Sequence, residues 1–231
     1  MRVSALAVVL AAVFLAGCGG HAKSSAKQNG EATKPASRVF ADTKAAATSA
    51  RSAHVSGNIV ASGMRITLDL DITRDKGAKG SMSTNGLSFD LVRIGNAAYI
   101  RGSDAFYKHF AGAAIAQLIH GKWVKVSTTQ PRFRSLAPLT SVGLLFAQVS
   151  AGHGKLANDG KTTYEGQQVV AIRDTSDNSK LYVAATGKPY PVAIVGGRKG
   201  ASGTITFADW NTSVSLTAPE DAIDASQFGL G

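Results

Sequence analysis

The stretch Met64–Thr73 reads Met-Arg-Ile-Thr-Leu-Asp-Leu-Asp-Ile-Thr. Met64, Ile66, Leu68, Leu70 and Ile72 alternate without a break against Arg65, Thr67, Asp69, Asp71 and Thr73. A period of two sends the two sets to opposite faces of a strand, whereas a helix would scatter the apolar groups around its circumference. One face of this strand is oily and the other is charged. The oily face has to be covered, so the rest of the chain must supply more strands and the helices that lie on them.

The flanking sequence does so. His54–Ser62 alternates Val55, Gly57, Ile59 and Ala61 with polar neighbours, and Asp75-Lys76-Gly77 marks a turn into Ala78–Thr84. Asn85-Gly86 is the strongest hairpin signal in the chain. Leu87, Phe89 and Leu91 resume the oily face, and Gly95-Asn96 leads into Ala97–Arg101. Strands joined by tight turns make an antiparallel meander.

Ser103 then reads as the cap of a helical stretch containing Phe106, Phe110, Ile115, Leu118 and Ile119, broken at Gly112. A short strand follows at Lys122–Val126. Short helices between Phe133 and Val149 come next, interrupted by Pro138 and Gly143. A further helix is expected from Ser37, as its cap, to Ser52.

From Lys155 the strands return. Asp159-Gly160 reads as a hairpin, and Val169–Arg173, Lys180–Ala185, Tyr190–Val195, Thr204–Asp209 and Ser213–Thr217 read as strands. Strands grouped on both sides of the helices, without βαβ alternation, argue an α+β fold. Its centre is one large, strongly curved antiparallel sheet, with no domain boundary inside 38–229.

The N-terminus sets the compartment. Met1–Gly17 has Arg2 and an apolar run from Val3 to Leu15, too short for a membrane span, which reads as a signal peptide. It ends in Leu15-Ala16-Gly17-Cys18, which resembles the bacterial lipobox. Cys18, the only cysteine, is therefore expected to carry a diacylglycerol anchor on the extracytoplasmic face of the cell membrane. Residues 18–37, rich in Gly, Ser, Ala and Lys, read as a flexible tether, and 38–231 as the domain. The net charge of +10 favours anionic partners. Outside the cytoplasm these are membrane surfaces rather than nucleic acid.

Catalytic signatures do not emerge. His21, His54, His109, His120 and His153 are scattered, without metal-ligand spacing, and no Gly-x-Ser-x-Gly elbow occurs. The expectation is a protein that is not an enzyme and uses no metal or cofactor.

A set of diffuse motifs completes the reading. Gly121-Lys122-Trp123-Val124 precedes the second helical region. Tyr182-Val183-Ala184 leads to Gly187 and Pro191-Val192, then Gly203-Thr204-Ile205-Thr206-Phe207 and Ala218-Pro219. With the lipobox and the meander, this resembles the actinobacterial LppX/LprA/LprF/LprG lipoprotein family, similar in fold to the LolA and LolB lipoprotein carriers. The resemblance implies a half-barrel sheet with helices packed on its concave face. It also implies a hydrophobic cavity for the acyl chains of a lipid or glycolipid, and a membrane transporter as a further partner.

The Gly/Ala-rich covers Ala111-Gly112-Ala113-Ala114 and Leu136-Ala137-Pro138 fit such a hollow, because short, broken elements pack incompletely over a wide sheet. The expected cavity residues are Ile66, Leu68, Leu70, Phe89, Leu91, Phe106, Phe110, Leu118, Leu139 and Phe146. Each of these, taken alone, also reads as ordinary core. The competing function is a non-catalytic scaffolding lipoprotein of the cell envelope.

Overall fold

In the computed structural model, residues 27–61, 63–131, 133, 134, 136, 141–197 and 201–229 are described. The signal peptide, Cys18, the start of the tether and Leu139 lie outside them. The N-terminal meander is β1 (Ser52–Ala61), β2 (Met64–Thr73), β3 (Gly77–Thr84), β4 (Leu87–Ile94), β5 (Ala97–Gly102) and, after a helical segment, β6 (Val124–Ser127). The C-terminal strands are β7 (Leu156–Tyr164), β8 (Gln167–Asp174), β9 (Lys180–Ala184), β10 (Pro191–Val195), β11 (Ala201–Ala208) and the short β12 (Ile223–Asp224). They form one open sheet in the order β12-β6-β5-β4-β3-β2-β1-β11-β10-β9-β8-β7. The two meanders are stitched together where β1 pairs antiparallel with β11. Every described pairing is antiparallel except β12 on β6.

β2 keeps the bounds that its alternation gives, and its oily face is graded. Ile72 and Leu70 are fully buried, Leu68 is 6% exposed, and Met64 is 46% exposed. Packing therefore covers only one end of the strand. The register places Leu70 opposite Gly80 of β3, which itself faces Leu91 of β4. Gly80 has φ +143°, and a Cβ there would land on the carbonyl oxygen of Asp69. Only glycine lets the backbone bend so tightly at this point.

Three α-helices lie among the described residues: α1 (Ala36–Ser49), α2 (Asp104–Leu118) and α3 (Val142–Val149). α1 buries Val39, Thr43, Ala46 and Ala47. Thr43 satisfies its hydroxyl by donating to the carbonyl of Val39, 2.8 Å away. The start of α1 corrects the expectation of a Ser37 cap: the helix begins at Ala36, behind Pro35, with no side-chain cap. Proline's fixed φ and missing N–H make it a ready leader into a helix. α3 is capped by Ser141, and Gly143 lies so close to Thr48 of α1 that a Cβ would collide with it.

Three further readings are corrected. Asp159-Gly160 is no hairpin: the register shifts between Asn158 and Gly160, giving a bulge within β7. The turn is Glu165-Gly166, with φ +47° and +81°. Ser213–Thr217 forms no strand, since both neighbours of β11 are already in place. The C-terminal part of the expected tether is docked. Asn29 donates its N–H to Ala185, and Lys34 pairs with Glu31 at 2.7 Å and Asp42 at 2.8 Å.

Candidate functional site

The helices do not fill the concave side. A cavity of about 710 Å³ opens between the sheet and its covers. Its floor is Ile59 of β1, Ile66 and Leu68 of β2, Met82 of β3, Phe89 of β4, Ile100 of β5, Val124 and Val126 of β6, and Ile205 of β11. Phe106, Tyr107, Phe110 and Ile119 close it from the α2 side, and Leu145, Gln148 and Val149 from α3. Among the described residues, no Asp, Glu, Lys, Arg or His lines it. Such a wall offers hydrocarbon a place to leave water.

Three aromatic rings make one wall. Phe106 stands 4.9 Å from Phe89 and 4.6 Å from Phe110, centroid to centroid. α2 holds them through its own shape. Ser103 caps it by accepting from the N–H of Phe106, and Gly112, at φ 82° and ψ 162°, breaks it. Beyond the break the chain doubles back. His120 reaches Asp104 at 2.6 Å, and the Tyr107 hydroxyl donates to the carbonyls of Lys122 at 2.7 Å and Ile100 at 3.0 Å. A straight helix would hold Asp104 and His120 about 24 Å apart at ~1.5 Å per residue. α2 is therefore a helical hairpin with Gly112 at its apex, a break the sequence announced without announcing the fold-back. Burial raises the Tyr107 hydroxyl above its ordinary pKa, so it stays a neutral donor.

The ten residues expected at the cavity separate into groups. Ile66, Leu68, Phe89, Phe106 and Phe110 share the wall just described. Leu70, Leu91 and Phe146 are fully buried in the packed core instead. Phe146 touches Phe40 and Phe207, at centroid distances of 5.9 and 6.0 Å. Leu118 is 66% exposed on the outer face of the last turn of α2, whose inner face buries Ala116 and Ile119. Leu139 lies outside the described residues.

Two features escaped the sequence reading. A hydroxyl-lined groove of about 440 Å³ adjoins the cavity, and Met82, Ser83 and Phe89 belong to both. Its other walls include Thr67, Ser81, Ser88 and an Asp90–Arg101 pair at 2.8 Å. Arg101 also stacks over Trp123 at 4.9 Å. The second feature is Arg93. It continues the inward series Leu87, Phe89, Leu91, and sits between fully buried Ala78 and Ala98. It is 5% exposed, and its Nε and Nη1 are without hydrogen-bond partners. Desolvation lowers its pKa. The alternation Leu87-x-Phe89-x-Leu91-x-Arg93 was the available signal.

Among the described residues no group of His, Cys, Asp and Glu could hold a metal ion. No helix among them is long and apolar enough to cross a membrane. No protein-family model and no curated protein matches the chain. Solved structures do. The chain is similar to LprF from Mycobacterium bovis, with a TM-score of 0.54 at 14% identity over 80% of this chain and 96% of that one. The lipoprotein LppX from Mycobacterium tuberculosis follows at a TM-score of 0.48 and 15% identity, over 79% of this chain and 98% of that one. At these identities the likeness to LprF shows a shared fold: a large, open, curved sheet with helices on its concave side.

Proposed function

We propose that the protein is an extracytoplasmic lipoprotein, anchored to the cell membrane through Cys18, that takes lipid acyl chains into its cavity and carries lipid or glycolipid across the cell envelope. The observation that carries this reading is the hollow itself: about 710 Å³ on the concave face, walled by aliphatic and aromatic side chains and a few uncharged polar ones. That volume falls in the range of small-molecule sites, ~300–1,000 Å³. Filled as liquid water it would hold roughly 24 molecules at ~30 Å³ each. Water there would meet few polar partners, whereas a hydrocarbon tail gains about 0.8 kcal/mol per buried CH₂.

The tails would lie against Ile66, Leu68, Phe89, Phe106 and Phe110. The headgroup would sit on the hydroxyl-lined groove that shares Met82 and Phe89 with the cavity. The role of this chain is binding and shielding, with no bond made or broken.

The test is lipid extraction and mass spectrometry of the purified protein, with native mass spectrometry of the intact complex. The expected result is a co-purifying lipid at one per chain, lost when Leu68 is replaced by a bulkier residue. A protein that carries no lipid, and gains no mass when phospholipid is offered, would overturn the carrier. If it brought down only a protein partner, the scaffold reading would replace it.

A further inference from the structure

The hairpin of α2 has an exposed tip. From Phe110 to Leu118 the sequence Phe-Ala-Gly-Ala-Ala-Ile-Ala-Gln-Leu holds no charged residue. Phe110 is 57% and Leu118 66% exposed, and Gly112, Ala113 and Ala114 at the apex are exposed beside them. A single exposed apolar side chain is ordinary, but a contiguous cluster of them marks a contact surface. This cluster sits at the cavity, because Phe110 and Ala111 line it.

The charges around the tip have one sign. Between Asp104 and Lys122 the acidic side chain is Asp104, and it lies at the base of the hairpin, clasped by His120. Lys108 is exposed on the arm that leads to the tip, and Lys122 is exposed at the base beside Asp104. An uncharged apolar tip with basic shoulders has the chemistry of an interfacial element that buries its apolar part at the headgroup boundary while the cations meet anionic lipid. The clasps at the base, His120 on Asp104 and Tyr107 on Lys122 and Ile100, hold the two arms together and leave the apex free to project.

We infer that the Phe110–Ala114 tip of the α2 hairpin docks on an anionic membrane surface and presents the cavity to it. The inference rests on the cavity as a lipid site for its purpose; docking is read from where the tip lies, and uptake separately from the mass of the protein recovered from the vesicles. Protein that docks by the tip and never takes up lipid leaves this inference standing and sinks the carrier. Protein that takes up lipid with its tip still in water does the reverse.

The test uses the chain from residue 18 onward with Cys18→Ser, in which every described element is retained and no cysteine remains. Ala114→Cys then places a single environment-sensitive fluorophore at the apex, and Thr163→Cys places the same probe at an exposed position of β7, at the far edge of the sheet from α2 and outside both hollows. Vesicles of phosphatidylcholine with phosphatidylglycerol, and of phosphatidylcholine alone, are titrated in. Emission of the 114 probe should shift to the blue with anionic vesicles and be quenched by acyl-chain spin labels, while the 163 probe stays unchanged. Phe110→Ser with Leu118→Ser should weaken partitioning about tenfold. Lys108→Glu should weaken it on anionic vesicles alone. Equal responses from the two probes, or a Phe110→Ser/Leu118→Ser variant that binds like its parent, would overturn the inference.

Discussion

The same substitution made twice on one strand face separates cavity from core. Leu68 and Leu70 are two residues apart on β2 and point to the same side. Leu68 lines the cavity, while Leu70 is 0% exposed in the packed core. Leu70→Trp forces a larger ring into filled space, and overpacking of this kind costs about 1–3 kcal/mol. Leu68→Trp extends into the hollow instead. If roughly 50 Å² of extra apolar surface leaves water there, at ~25 cal/mol per Å² the change stabilises by about 1 kcal/mol. The two variants should therefore differ by about 2–4 kcal/mol, which at ~2–4 °C per kcal/mol for a domain of this size is a gap in Tm of roughly 4–16 °C.

Lipid binding should move the opposite way. A ring standing where two or three CH₂ groups would lie removes about 2 kcal/mol of tail burial at ~0.8 kcal/mol each, so affinity should fall roughly thirtyfold. Denaturant unfolding of lipid-free protein, followed through Trp123 and Trp210, and native mass spectrometry of lipid occupancy give the two readings. The parent's own tryptophan signal serves as the baseline. If Leu68→Trp is as destabilising as Leu70→Trp, the hollow is ordinary core and the reasoning fails.

Three further substitutions test the frame. Gly80→Val should prevent folding or cost more than about 4 kcal/mol, since its Cβ collides with the Asp69 carbonyl at φ +143°. Ser81→Val next to it on the outer face should stay within about 0.5 kcal/mol of the parent in thermal melts. Asp174 accepts from the Ser176 hydroxyl and from the N–H groups of Ser176 and Gly154, which hold its carboxyl below the ordinary value of 3.8. A depressed carboxylate stabilises the fold above that value, and the stability is lost as pH falls through its native pKa. The stability gap between parent and Asp174→Asn should thus be full at neutral pH and shrink in acid below about 4; a gap unchanged at low pH refutes the assignment. Arg93→Met removes a buried guanidinium with two unpaired nitrogens. Its unfolding free energy, measured in lipid-free protein, should be unchanged or higher by about 1–4 kcal/mol, and a clear loss would mean that the arginine is satisfied after all.

Much of the sheet was legible because its signals are local. The unbroken alternation of β2, the Asn85-Gly86 turn and the break at Gly112 each depend on a few neighbouring residues. Asp159-Gly160 shows the limit. Gly160 has φ +82° and Gly166 φ +81°, so both Xaa-Gly pairs contain a glycine with the same backbone signature. Which one reverses the chain depends on how β7 meets the apolar run Val169–Ile172 of β8, a pairing that no short window contains. Ser213–Thr217 fails for a related reason: a strand needs an unpaired neighbour, and at that point the sheet offers none beside β11.

The site was legible in direction and not in extent. Alternation says which side chains point inward, and all of Ile66, Leu68, Leu70, Phe89 and Leu91 do. It carries no information on where the helices stop. The register resolves this into rows across the sheet. Val55, Leu70, Gly80, Leu91 and Ile100 make one row, and Gly57, Leu68, Met82 and Phe89 make the next. The first row is largely core. In the second, Leu68, Met82 and Phe89 line the hollow. α1 and α3 press together through Gly143 and Thr48, with α1 against β7 and β8 at one end of the sheet. α2, folded back at Gly112, leans on β4 and β5 at the other end. Closing the hollow with protein would need a longer, unbroken α2. Restoring helix through the apex, by Gly112→Ala, should therefore strain the clasp between His120 and Asp104 and change the cavity, whereas the same substitution at Gly166, in the β7–β8 turn at the opposite end of the sheet, should leave the cavity as it is.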